Sequence, residues 1–575
     1  MTYDLVKTYD LAIKGAQIYD GSGSEPSRDD LYIKDGRIAL RQPSAGNGPA
    51  PVVKQSVIAN GLALMPGIVD LHTHYDAQIT WDRTCSPSPA LGVTTAVIGN
   101  CGFGIAPCPP AQRETMMKNL SVVEGMDLNA LLTGTRWGFE SFAQYLTSLR
   151  EQGPFVNVGV FAGHSTIRTA VMGNEASQRQ PTAQELALMV DHVRQAMDAG
   201  AIGFASSFSP NHSGFGGMPM PSTIASDDEL AALVGVLGEK GRGVFMSATG
   251  PRATPDYMEQ LAAATGRPMF ISTVLSMYND AAPQAAMAMY ERCGEALARG
   301  REVYIQANCQ PLCFEFTLVS PYVLFSHSAF APVQAANGDL AQLKSVYGGQ
   351  QIRADFRANL KSPKTGILFY GDWSQIEVRP ALEANQSMSE RGIAELAAEA
   401  GQDPIDWLFD FALSENLQTM FLGKFYQNRD EGVAPLLKHP AGVVSLSDAG
   451  AHLSYMCDAG FGIHMLSHWV RNTGTFSLAE AVRRLTSHPA QLYRIAQRGL
   501  LREGYWADML LFDPAKLALS KLASRDDLPG GGRRMVRSAA GVQGVWVNGV
   551  QTFDGKQYLN ADRPGPGKVL DQFAA

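Results

Sequence analysis

The sequence predicts an α/β protein built on a (β/α)8 TIM-like barrel, with a small β-sandwich formed by both chain ends and a long insert between barrel strands 7 and 8. Three observations carry this expectation. Eight short β-rich runs alternate with helical segments through the middle of the chain, the pattern of a parallel barrel. Alternating β-type runs punctuated by Gly, Ser and Pro occur at both termini, and neither end is long enough to fold by itself. Residues 309–442 separate the seventh run from the eighth, far more than an ordinary loop, so that segment must carry structure of its own.

The eight runs are IVDLHTH (68–74), TTAVIGN (94–100), VNVGVFAG (156–163), AIGFASS (201–207), GVFMSA (243–248), PMFISTV (268–274), EVYIQAN (302–308) and VVSLSDA (443–449). Helical stretches such as AQELALMVDHVRQAMDAG and DELAALVGVLGEKG lie between them. At the N-terminal end, YDLAIKGAQIYDGSG, DLYIKDGRIAL and SVIANGLALMPG read as strands and turns; WADMLLFDP and GVQGVWVNGVQTFDG read alike near the C-terminus. Residues 1–65 and 495–575 are therefore assigned to the sandwich and 66–494 to the barrel. Residues 310–440 form a lid or insert, marked by aromatic runs (CFEFTL, YVLFSHSAF, ILFYGDWSQ) and by helices in MSERGIAELAAEAG and DPIDWLFDFALSEN.

At 575 residues the chain exceeds a single core. A net charge of −8 argues against a nucleic-acid surface and against a polybasic membrane patch. Seven cysteines without a CxxC pair fit a reducing compartment and no disulfide framework. Charges in MTYDLVKTYDLAIKG stand where a signal peptide needs its apolar stretch, and no apolar run is long enough to span a bilayer. A cytoplasmic protein without membrane or nucleic-acid partners is expected, and a homo-oligomer is compatible with the sequence.

The chemistry concentrates in MPGIVDLHTHYDAQ, Met65–Gln78. Side chains alternate along a strand, so His72 and His74 share one face while Leu71 and Thr73 share the other. An HxH pair alone fits two hydrogen-bonded histidines as well as two metal ligands. Its position decides: HTH, GNC, AGH and SDAG all fall at the C-terminal ends of predicted strands, where a barrel keeps its active site. His164, in AGHS, is a catalytic candidate for orienting substrate or stabilising an oxyanion, with a purely structural hydrogen-bonding role as the alternative.

PGIVDLHTHYD, GVTTAVIGNCGFGIAP, VNVGVFAGHSTIR, SDAG and TSHPAQLYRIAQRGLLREGYWADMLLFDP, in that order, make the chain resemble the amidohydrolase superfamily in its D-aminoacylase (N-acyl-D-amino-acid deacylase) branch. The resemblance spans nearly the whole chain. It implies Zn²⁺ held by His72, His74, Cys101 and Asp448, with a thiolate well suited to zinc. It also implies amide hydrolysis by a metal-activated water, Asp448 taking the water's proton and passing it to the leaving nitrogen.

The chain departs from the family at three places. VFMSATG and FISTVLS offer no histidine on strands five and six, AIGFASS offers no lysine on strand four, and Leu275 stands where a basic residue is usual. One dominant Zn²⁺ per chain is therefore expected, with another divalent metal as the alternative. Of the remaining histidines, His192 and His488 read as structural, while His212, His327 and His452 are candidate replacement ligands. Cys309 and Cys313 are read as buried thiols. The expected function is a metal-dependent hydrolase of an amide-type C–N bond in a small-molecule amide substrate. The alternatives are a cyclic amide or lactone hydrolase on the same site, or a catalytically inactive ligand-binding barrel. Arg252, Arg357 and Lys361 are the candidate anchors for a substrate carboxylate. The end of strand six (Ser272–Leu275) and the stretch after Asp448 hold no arginine or lysine, which with the aromatic insert points to uncharged amides or N-acyl compounds with large apolar groups.

Overall fold

Eight parallel strands pair in chain order: β1 (Ile68–Asp70), β2 (Val93–Ile98), β3 (Asn157–Gly163), β4 (Gly203–Ser207), β5 (Val244–Ala248), β6 (Met269–Ser272), β7 (Val303–Ala307) and β8 (Gly442–Val444). The structure is a computed structural model that describes residues 8–44, 51–210, 212–248, 250, 252–272, 277–362, 367–453 and 459–573. Every residue of β2 to β7 is buried, as strands covered on both faces must be. The continuation of β1, His72–Thr73, pairs in parallel with Leu446–Ala449, the continuation of β8. That ladder joins the last strand to the first and closes the sheet on itself.

The crossover helices follow from local signals. Ala183–Ala199 opens on a capping box in which the Thr182 hydroxyl accepts from the Glu185 amide and the Glu185 side chain accepts from the Thr182 amide. Asp227–Lys240 opens on Ser226 and carries three acidic residues in its first turn, where the helix dipole favours them.

Both chain ends enter one mixed sheet. Its order is Val550–Phe553, Val542–Val547, Met509–Phe512, Ala63–Pro66, Thr8–Ile18, Ser27–Lys34 and Arg37–Pro43, with Val52–Ile58 also pairing to Thr8–Ile18. The C-terminal strand Met509–Phe512 lies antiparallel to Ala63–Pro66. Leu11, Ile13, Ile33, Leu64, Met509 and Trp546 form the core of this sheet. The pairings give a single sheet from both ends; the second, stacked layer of the expected sandwich is not among them. Gly67 then leads into β1, its amide donating to the Asp508 carbonyl at 2.9 Å.

Residues 277–286 and 310–433 make a separate compact unit. Its antiparallel sheet runs Leu312–Thr317, Met420–Tyr426, Ile376–Arg379, Arg391–Gly392. Phe316, Phe330, Phe356, Phe369, Phe409 and Phe421 are buried together there. The aromatic runs therefore serve this unit's own core, and they lose their value as a hint about substrate. Among the described residues, no helix is long and apolar enough to cross a membrane.

Candidate metal centre

His72 and His74 leave the end of β1 on one side, their ring centroids 5.2 Å apart and their Nε2 atoms 3.3 Å apart. Cys101 reaches them from the turn after β2. It sits at φ 54° between Gly99 and Gly102, both left-handed as well. A Cβ at Gly102 would lie 2.8 Å from the Ala205 carbonyl oxygen, so only glycine lets the turn pack this tightly. Asp448, at φ 56°, and His452, at φ 53°, are also left-handed. A Cβ on the intervening Gly450 would meet the His74 carbonyl at 2.7 Å. Non-glycine residues in this region cost about 1–3 kcal/mol each, and such strain collects where a side chain must be aimed.

The aim is shared. Asp448 Oδ1 lies 3.1 Å from His74 Nε2 and 3.5 Å from His72 Nε2. Cys101 Sγ lies 3.5 Å from His72 Nε2. Ligands bound tetrahedrally to zinc at the usual bond lengths are separated by about 3.3–3.8 Å along the edges. The donor atoms of His72, His74 and Cys101 also fall within 4.8 Å of one another, all three residues being buried. Nitrogen, sulfur and carboxylate donors at these separations fit a zinc ion. The structure thus brings together the four residues His72, His74, Cys101 and Asp448.

Burial pushes His72 down to about 4, leaving its ring neutral. Its Nδ1 faces the Gln306 Oε1 at 2.7 Å and the Ser272 hydroxyl at 3.0 Å, and Gln306 Nε2 donates to the Tyr493 hydroxyl. With Nδ1–H donating to Gln306, the Nε2 lone pair is free to face the centre. Burial also opposes a charge on His74, but the carboxylates of Glu124 and Asp448 outweigh it and raise this imidazole. Burial pushes the Cys101 thiol up to about 12. Burial opposes the Asp448 carboxylate, yet His74, His72 and His452 hold it ionised. Beneath the centre, burial raises Asp70 to about 8, with the Ser447 hydroxyl donating to it.

His164 is fully buried at the start of the helix His164–Met172, and both ring nitrogens are occupied: Nδ1 by Ser206 Oγ at 2.9 Å and Nε2 by Glu229 Oε1 at 2.8 Å. Arg168 pairs with the other Glu229 oxygen. No ring nitrogen is left to donate to an oxyanion, so the geometry favours the structural alternative.

Among the candidate replacement ligands, His452 places Nε2 3.7 Å from Asp448 Oδ2. His212 hydrogen-bonds Ser207 through Nδ1 at 2.7 Å, packs on Phe103, and feels the charges of His452, His74 and Asp448. His327 belongs to the insert's core, against Phe356 and with Nε2 on the Phe369 carbonyl. It is a packing residue. His192 and His488 sit in helices, and the buried Cys309 and Cys313 donate to the carbonyls of Phe461 and Pro311.

Two of the three candidate anchors are engaged by carboxylates: Arg252 with Asp227 at 2.5 Å, Arg357 with Asp403 and Asp406 at 2.9 and 2.5 Å. Lys361 ends an exposed helix turn. Leu275 lies outside the described residues. Gln306, Ser272 and Glu124 escaped the sequence reading. The first two lie on strands already expected to end at the site; the only signal for Glu124 is an acidic residue in the apolar SVVEG.

A family model described as "Amidohydrolase family" matches residues 57–332 and 362–553. N-acyl-D-aspartate deacylase of Alcaligenes xylosoxydans xylosoxydans is 28% identical over 97% of this chain and 94% of its own length. D-aminoacylase of the same organism is 28% identical over 99% and 98%. The crystal structure of N-acyl-D-glutamate deacylase from Bordetella bronchiseptica, complexed with zinc and a phosphonate mimic of the tetrahedral intermediate, aligns with a TM-score of 0.63. It is 25% identical, over 98% of this chain and all of that one.

Proposed function

The chain belongs to the amidohydrolase family, and on that premise we propose that it hydrolyses the amide bond of small N-acylated molecules with one dominant Zn²⁺ held by His72, His74, Cys101 and Asp448. The observation that carries this reading is the convergence of two imidazoles, a thiol and a carboxylate at 3.1–3.5 Å on the strand ends. Bound there, zinc supplies Lewis acidity that makes water a nucleophile near neutral pH and polarises the scissile carbonyl.

The chain's own residues supply the rest. Asp448 remains ionised among His74, His72 and His452, so it is ready to take the proton of the attacking water. It then returns that proton to the nitrogen as the C–N bond breaks, which turns a poor amide leaving group into a neutral amine. His452, 3.7 Å from the second Asp448 oxygen and partly exposed, is placed to steady that carboxylate between the two transfers. Missing histidines on β5 and β6 support a single dominant ion. In the described part of those strands, Ser247 and Ser272 turn their hydroxyls to the Ala248 carbonyl and to His72.

Because Arg252 and Arg357 are already paired and a buried carboxylate needs a cation, N-acyl compounds without a free carboxylate are the better substrates in this reading. The test is metal analysis with a substrate panel. We expect about one zinc per chain, activity lost on chelation and restored by one equivalent, and neutral amides ahead of N-acetyl-D-methionine in kcat/KM. Two tightly held ions refute the mononuclear assignment. Highest kcat/KM for a small N-acetyl-D-amino acid refutes the substrate assignment.

A further inference from the structure

Glu124 follows helix α1 (Arg113–Val123), its amide closing the last turn on the Leu120 carbonyl. A carboxylate there is doubly misplaced. The C-terminal end of a helix carries the negative pole of its dipole, and the Glu124 side chain is only 5% exposed. A buried charge of that kind persists where a cation or a strong donor faces it. Here the facing group is His74 Nδ1, 3.4 Å from Glu124 Oε1. That nitrogen is itself buried and has no hydrogen-bond partner, so the Glu124 carboxylate, at ion-pair distance, is the group that faces it. The opposite edge of the same ring, Nε2, faces Asp448 and His72. The main chain of Glu124 contributes as well, its carbonyl accepting from the His452 amide at 2.5 Å. One residue thus touches the β1 histidine with its side chain and the loop after Asp448 with its backbone.

Resting on the metal reading above, we propose that Glu124 is the positioning residue for His74. Its carboxylate accepts from Nδ1–H, fixes the tautomer whose Nε2 carries the lone pair, and makes that nitrogen the more basic donor to the metal. The α1 dipole reinforces the effect, because carboxylate and helix end present the same negative potential to a cation at the centre. The two imidazoles are then unequal. His72 is oriented by the neutral Gln306 amide and His74 by a carboxyl group, so His74 is the stronger ligand. Carboxylate partners of ligating histidines are worth about 10–100-fold in metal affinity.

The experiment compares the wild type, Glu124→Gln and Glu124→Ala by zinc competition against a chromophoric chelator, with melting of the metal-free proteins measured in parallel. Expected is a 10–100-fold weaker Kd for zinc in Glu124→Ala and a smaller loss in Glu124→Gln, whose amide oxygen still accepts from Nδ1–H. The metal-free Glu124→Gln protein should melt no lower than the wild type, since a buried charge is removed while its acceptor stays. Zinc affinity within threefold of wild type in Glu124→Ala overturns the assignment. So does a parallel drop in metal-free melting temperature and affinity in both variants, the mark of packing alone. A wild-type protein that takes up no zinc refutes the metal reading itself, and this assignment falls with it.

Discussion

Cys101 provides the sharpest test of the ligand set, because its bond to a metal has a proton cost that can be counted. Burial raises the thiol to about 12, so it is protonated at any pH where the protein works. At pH 6 the displacement of that proton costs about six decades of affinity, about 8 kcal/mol. Structural zinc sites keep an apparent binding free energy of about 10–16 kcal/mol at pH 7 with their thiol protons already displaced, so zinc can meet a cost of this kind. Each proton released on binding makes the apparent association constant rise about tenfold per pH unit. Between pH 5 and 7 Cys101 is protonated. His72, pushed down to about 4, is already neutral. Asp448 is ionised and releases nothing. Cys101 therefore adds one proton to those released on binding, and about tenfold per pH unit to the rise of zinc affinity. Cys101→Ser has no group to ionise in this range, and its slope should be lower than the wild type's by about tenfold per pH unit. Chelator competition at several pH values measures both slopes, and calorimetry in buffers of different ionisation enthalpy counts the protons independently. An unchanged slope and proton count in Cys101→Ser would show that the thiol only packs beneath the site.

Asp448→Asn keeps the size of the side chain but cannot accept a proton. It should fold and lower kcat by at least about a hundredfold when assayed at saturating zinc. Near-wild-type turnover there removes Asp448 from proton transfer. His164→Ala leaves Ser206 and one oxygen of Glu229 without their buried partner, so it should lose about 2 kcal/mol of stability while kcat in the folded fraction stays within a few-fold. A hundredfold loss of kcat at unchanged stability in denaturant melts would restore the catalytic role.

How much of this was legible follows from which forces are local. Strand alternation is a property of the backbone, so HTH on one face could be read directly, as could the eight barrel strands and the capped helices between them. Metal donors of the right types at strand ends were likewise visible, because a barrel gathers all its C-terminal strand ends at one rim. The sequence alone therefore determined the barrel and the joining of the two chain ends, and its resemblance to the family singled out His72, His74, Cys101 and Asp448 as the proposed ligands.

Tertiary structure decided what depends on who sits opposite. His164 stands at a strand end like the others, yet Ser206 and Glu229 consume both its nitrogens. The aromatic runs look like pocket lining in one dimension and are the core of a separate unit in three. Glu124, fifty residues from His74 in sequence, reaches its ring only through the packing of α1. Periodicity and spacing report the backbone, which the chain carries everywhere. Hydrogen-bond partners, burial and the tautomer they select are set by neighbours remote in sequence, and those exist only once the barrel has closed.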